Sequence, residues 1–161
     1  MMVKKSMTAG AVAAAALAAV LTAPGTAGAA GQDVSEQKNY LSASACSGNE
    51  FKFTFRFNSN QGGAYRKLGY AHGNLAATEI QWGVDPTTQP LRYCDGTGAG
   101  SGQGIKNNAA SITNSHTSYG GTVYYNSWWQ GAYDSVQPAR PTPASRNLSN
   151  TYNQNASFKW S

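Results

Sequence analysis

The most regular stretch of the chain is "FKFTFRF", in which Phe51, Phe53, Phe55 and Phe57 alternate with Lys52, Thr54 and Arg56. A period of two puts the four rings on one face of a strand and the polar side chains on the other. The next residues, "NSNQGGAY", carry the Asn, Ser and Gly that turns require. "KLGYAHGNL" and "TEIQWGV" read as further short strands, and "DPTTQP" as a proline-rich turn. The chain closes on "NASFKWS", where Phe158 and Trp160 flank Lys159, which predicts a last strand. Helical periodicity is nearly absent after the first thirty residues. Short apolar runs separated by Gly, Pro, Asn and Ser predict an all-β sandwich or barrel.

The turn after the first strand has a second copy. Shifting the chain by 68 residues lays Asn58, Ser59, Gly63, Ala64 and Tyr65 on Asn126, Ser127, Gly131, Ala132 and Tyr133. Phe55 meets Val123 and Phe57 meets Tyr125, so the strand faces stay in register. Downstream, "NNAASI" (107–112) resembles "NQNASF" (153–158). Two correspondences in the same order predict a duplicated unit. Phe57 and Ser111 are 54 residues apart, whereas Tyr125 and Ser157 are 32 apart, so the first copy carries 22 extra residues. The run "GTGAGSGQG", Gly96 to Gly104, accounts for part of them and reads as a flexible surface excursion. It fits neither phosphate-binding glycine motif.

Ahead of this lies a targeting segment. Lys4 and Lys5 precede an alanine-rich apolar run and the small residues Ala27 and Ala29, the pattern of a signal peptide over residues 1–29. The run is too short and too rich in alanine to be read as a membrane span, and no later segment is apolar enough. The expected product is secreted and extracellular, with no membrane association. Residues 30–45 are polar without a sustained period and read as a flexible lead-in, leaving residues 46–161 as one β domain. Cys46 and Cys94, an even count in an exported chain, predict a disulfide, and neither has a further cysteine or histidine at metal-ligand spacing.

Charge narrows the field only slightly. Without the leader, 10 Lys and Arg stand against 7 Asp and Glu, a net charge of +3 with no basic cluster, which argues against nucleic acid as a partner. His72 and His116 lie in unrelated contexts and the acidic residues are scattered, so no catalytic motif emerges and a non-enzymatic protein is expected.

Tyr124, Trp129 and Gly131 fit the pattern aromatic, four residues, aromatic, one residue, glycine. With "NNAAS" and "NQNAS", this resembles the βγ-crystallin Greek key, and among its microbial members the secreted metalloproteinase inhibitors of the Streptomyces type. In the first copy Arg56 and Gln61 replace both hairpin aromatics, and the assignment there rests on Gly63, register and "NNAAS". The resemblance implies two Greek-key motifs, about 46–113 and 119–161, forming a crystallin-like sandwich. It also implies a monomeric peptidase inhibitor with no cofactor beyond a low-affinity calcium site. Asn107, Asn108 and Ser111 match one calcium loop, and Asn153, Gln154 and Ser157 the other. Neither loop has a carboxylate, and Ile112 or Phe158 replaces the final Ser, so low ligand charge predicts low affinity.

Two other readings are a calcium-stabilised structural or stress protein, and a carbohydrate-binding or toxin-like module stacking sugars on Trp82, Trp128 and Trp129. Trp128 is also the candidate contact for a protein partner, against the alternative that it covers a neighbouring loop.

Overall fold

A computed structural model describes residues 34–41, 43–76 and 91–161. The leader, the strand expected at 78–84 and Trp82 lie outside these residues.

Two antiparallel sheets build the fold, as the alternating pattern predicts. Strands β1 (Phe53–Arg56), β2 (Tyr65–Leu68), β3 (Ser111–Asn114) and β6 (Ala144–Asn147) form one sheet in the order β2-β1-β3-β6. The other is β5-β4-β7, from β4 (Gly121–Asn126), β5 (Gln130–Val136) and β7 (Ser157–Trp160). In the second half of the chain β6 leaves its own sheet to pair with β3. The counterpart in the first half is the segment around His72, which pairs with β7 through a bridge between His72 and Phe158. Each half thus lends its third segment to the sheet of the other, and the halves interlock.

The duplication extends to individual hydrogen bonds. Ser111 Oγ donates to Asn58 O and accepts from Gln61 N, and Ser157 Oγ does the same with Asn126 O and Trp129 N. Leu148 N donates to Ala110 O as Leu75 N does to Ala156 O, both at 2.9 Å. Asn107 N donates to Asn155 O and Asn153 N to Ala109 O, a reciprocal pair across the dyad. Among the described residues, those other than glycine with left-handed backbone fall into three matched pairs, Asn60 with Trp128, Gln61 with Trp129, and Asn107 with Asn153. Asn58 and Asn126 therefore occupy equivalent places.

Phe53, Phe55, Ile112, Val123 and Phe158 fill the space between the sheets and are fully buried. Phe53 stacks on Phe158 with ring centres 4.1 Å apart. Gly121 lies over the Phe53 ring, and a Cβ there would come within 2.2 Å of it.

Two expectations are corrected here. The lead-in is not loose throughout, since Val34–Leu41 form helix α1 with Glu36, Asn39 and Tyr40 buried. Its polar groups bind the chain where a periodic apolar face would have done so in an ordinary helix. Asn39 Oδ1 accepts from Gly69 N and Tyr70 N, and Glu36 Oε1 accepts from Gly73 N. The buried Arg66 guanidinium donates to Asn39 O at 2.7 Å, placing a cation at the carbonyl end of the helix, where the peptide dipoles favour it. Arg66 sits at the position matched by Asp134 in the second half. Asp134 is also buried and accepts instead from Ser149 and Thr151. Opposite charges at one repeated position thus secure different neighbours.

The glycine run is likewise folded against the chain rather than free. Ala64 N donates to Ala99 O at 2.8 Å, Gly102 N donates to Tyr93 O, and Ser101 Oγ donates to Gly98 O while accepting from Gly98 N and Thr97 N.

Docking of α1 makes stability depend on acid. His72 is fully buried, its Nε2 3.0 Å from Tyr40 Oη and its Nδ1 3.4 Å from Asn39 Nδ2. Burial, with a smaller contribution from the Arg66 charge, lowers its pKa to about 4, although a hydrogen bond with the Asn74 backbone opposes the shift. The unfolded imidazole takes a proton near pH 6.5, and between there and pH 4 only the unfolded chain holds it. Stability is therefore present above pH 6.5 and falls as pH drops toward 4, by about 3 kcal/mol in all. Urea midpoints at pH 7 and pH 4.5 measure this fall, and His72→Gln is expected to flatten it. At Asp134 burial alone would raise the pKa, but the hydrogen bonds from Thr151 and Ser149 outweigh it and lower the value, so its contribution is lost at still lower pH.

Candidate recognition surface

The tip of the β4–β5 hairpin carries the two adjacent tryptophans. Trp128 and Trp129 both have φ of 61°, a left-handed conformation uncommon for bulky side chains. The surrounding bonds hold them there. Trp128 N donates to Gly73 O at 2.6 Å, and its ring lies on Gly73, where a Cβ would come within 2.4 Å of it. Trp129 N donates to Ser157 Oγ, and the indole Nε1 donates to Phe158 O at 3.0 Å. Trp129 is thus tied to β7, and Trp128 leans on the neighbouring loop. The Trp128 ring covers Gly73 with part of its surface, as the loop-covering reading expects, and remains 46% exposed.

The first half supplies an internal control. Gln61 stands where Trp129 does, and its Nε2 donates to Ile112 O, the equivalent of Phe158 O. An amide therefore makes the bond that the indole makes in the other half. Tying the hairpin tip to the neighbouring strand does not require an indole at this position.

Around the tip the second half exposes further aromatic surface. Tyr125 is 44% exposed, Trp129 39% and Tyr133 57%. The Trp128 and Trp129 rings meet nearly edge to face, at 87° with centres 6.4 Å apart. On the outer face of the sheet the Lys159 ammonium lies 5.3 Å from the centre of the Tyr124 ring, which itself neighbours Tyr133. A partly apolar projection of this kind has the composition of a binding surface.

The six candidate calcium residues are brought together in part. Their loops join through the reciprocal backbone bonds of Asn107 and Asn153. Ser111 and Ser157 are fully buried and tie down the two hairpins. The Asn108 amide donates to Gln103 Oε1 and Gly104 O, while Asn153 and Gln154 are exposed. Beside the first loop, the Lys106 ammonium donates to Asn74 Oδ1 and Ser127 Oγ, a positive charge among the nearby oxygens. Among the described residues no three His, Cys, Asp or Glu side chains group as metal ligands.

Both histidines have structural partners. His72 is sealed beneath α1, and His116 Nδ1 accepts from Ser118 N and Tyr119 N. His116 also borders a cleft of about 370 Å³ beyond the start of β1, with Glu50, Lys52, Tyr70 and Trp160. Cys46 and Cys94 form the expected disulfide.

The residue that sequence reasoning undervalued is Gln61. It reads there as a departure from the hairpin pattern. The signal was its register with Trp129, but its bond to Ile112 O becomes visible only once β3 is placed beside the hairpin.

No family profile and no curated protein matches the chain. A solved structure described as "Evolution of the eye lens beta-gamma-crystallin domain fold" is similar over 71% of this chain and 91% of that chain, at 10% identity and a TM-score of 0.44. The twofold plan described above rests on the strand exchange and the matched hydrogen bonds, independently of that similarity.

Proposed function

We propose that this is an exported, non-enzymatic recognition protein that binds an extracellular peptidase through the β4–β5 tip and blocks it. One observation carries the reading: Gln61 makes the same bond to the neighbouring strand that Trp129 makes, yet the second half places two tryptophans at its tip and leaves them exposed. Exposed tryptophan held in one conformation is the composition of an interface anchor, and ordering it beforehand lowers the cost of association. The perpendicular rings favour insertion into a protein pocket over a flat strip for successive sugar rings. The disulfide accords with export, because such bonds persist in oxidising compartments. The sequence resemblance to secreted inhibitors supplies the peptidase as partner.

A panel of thermolysin-like and serine peptidases tests this. At least one should be inhibited with Kd below about 1 μM, and Trp129→Gln should weaken it about 100-fold, as for an interface hot spot. The same variant should melt within a few degrees of the parent, since glutamine already serves at the equivalent position. Equal inhibition by Trp129→Gln, or no peptidase slowed at about 10 μM protein, would overturn the proposal.

A further inference from the structure

The two hairpins are built alike but covered differently. In the first half the segment Gly98–Gly100 crosses the hairpin face. Ala99 O accepts from Ala64 N, a Cβ at Gly98 would meet the Gly63 carbonyl carbon at 3.2 Å, and one at Gly100 would meet the Phe57 ring at 2.3 Å. Only residues without side chains can lie so close. Under this cover Ala64 is fully buried, and Phe57, Gly63 and Tyr65 are half-buried.

The counterparts 68 residues on are Tyr125, Gly131, Ala132 and Tyr133, and all four are exposed. The covering segment belongs to the extra residues of the first copy, and among the described residues the second copy has no counterpart to it. The nearest atoms to a Cβ at Gly131 belong to Asn126 and Tyr125 of the same hairpin, where at Gly63 the nearest is Ala99 O. The second half thus exposes, with no cover among the described residues, the surface that in the first half receives a glycine-rich strip of chain.

We infer that this face takes an extended, glycine-containing segment of a protein partner, seated as Gly98–Gly100 is seated on the first hairpin. A partner carbonyl would accept from Ala132 N, the counterpart of Ala64 N, and a residue without a side chain would cross the Tyr125 ring. The first half shows that this hairpin geometry accepts such a segment and that the segment must be bare at the crossing. The inference rests on the recognition reading above and specifies what the partner presents.

The probe is a capped peptide copying residues 95–103, DGTGAGSGQ, added to the ¹⁵N-labelled protein. Saturable amide shifts are expected at Gly131, Ala132 and Tyr133, with Kd near 1 mM because a free peptide must be ordered on binding. Valine in place of the glycine that copies Gly100 should weaken binding at least tenfold, or about 1.4 kcal/mol. Absence of shifts at about 5 mM peptide, or equal binding of the valine peptide, would overturn the inference. If Trp129→Gln abolishes peptidase inhibition while the peptide gives no shifts, the recognition tip stands and this inference fails. If the peptide binds while no peptidase is inhibited, the peptidase fails as partner and the inference stands.

Discussion

Phe53→Ala is expected to destabilise the protein by about 4 kcal/mol, read as a fall in the urea midpoint. The ring is fully buried, stacks on Phe158, and meets Phe55 and Trp160 edge-on with centres 5.3 and 5.7 Å away. Truncation loses the transfer free energy of the ring and leaves a cavity in the layer where both sheets meet. Gly121 cannot fill that cavity, having no side chain to extend into it. The loss is a large share of the roughly 5–15 kcal/mol that holds a domain folded. A loss below about 1 kcal/mol would show that the sheets do not meet on this ring.

Removing the disulfide is the second large effect. Cys46 and Cys94 are 48 residues apart, and releasing a loop of that length stabilises the unfolded chain by about 4 kcal/mol on the loop-entropy estimate. The bridge fastens the 3₁₀ turn Ala43–Ala45 beside β2, where Cys94 N donates to Tyr65 O and Tyr65 Oη donates to Cys46 O. Cys46→Ala with Cys94→Ala should lower the urea midpoint accordingly. Hydrogen exchange should quicken first in α1, which enters the fold just before this anchor. An unchanged midpoint would mean that the remaining contacts already hold the loop closed in the unfolded ensemble.

Much of this architecture is legible in the residues themselves. The alternation in "FKFTFRF" points Phe53 and Phe55 into one layer, and the structure buries both completely. The 68-residue shift pairs Asn58 with Asn126 and Gly63 with Gly131, pairs whose hydrogen bonds and backbone angles agree. The second anchor, "NNAAS" with "NQNAS", marks the loops that bond reciprocally across the dyad.

The rest was hidden for identifiable reasons. Helix α1 is held by Glu36 and Asn39 to backbone groups of residues 69–73, and such bonds impose no apolar period. The glycine run reads as flexible because local composition cannot show that Phe57 and Gly63 press on it from elsewhere in the chain. Gln61 reads as a lost aromatic until Ile112 O is beside it.

Sequence alone determined the β class, the inward face of the first strand, the disulfide pair and the twofold repeat, because each is written as a short period, a count or a self-match along the chain. Only the tertiary structure decided that the two hairpins differ in cover, that a glutamine can stand in for an indole, and that α1 seals His72. Those outcomes depend on distances between residues far apart in the chain, and chain order alone does not specify such distances.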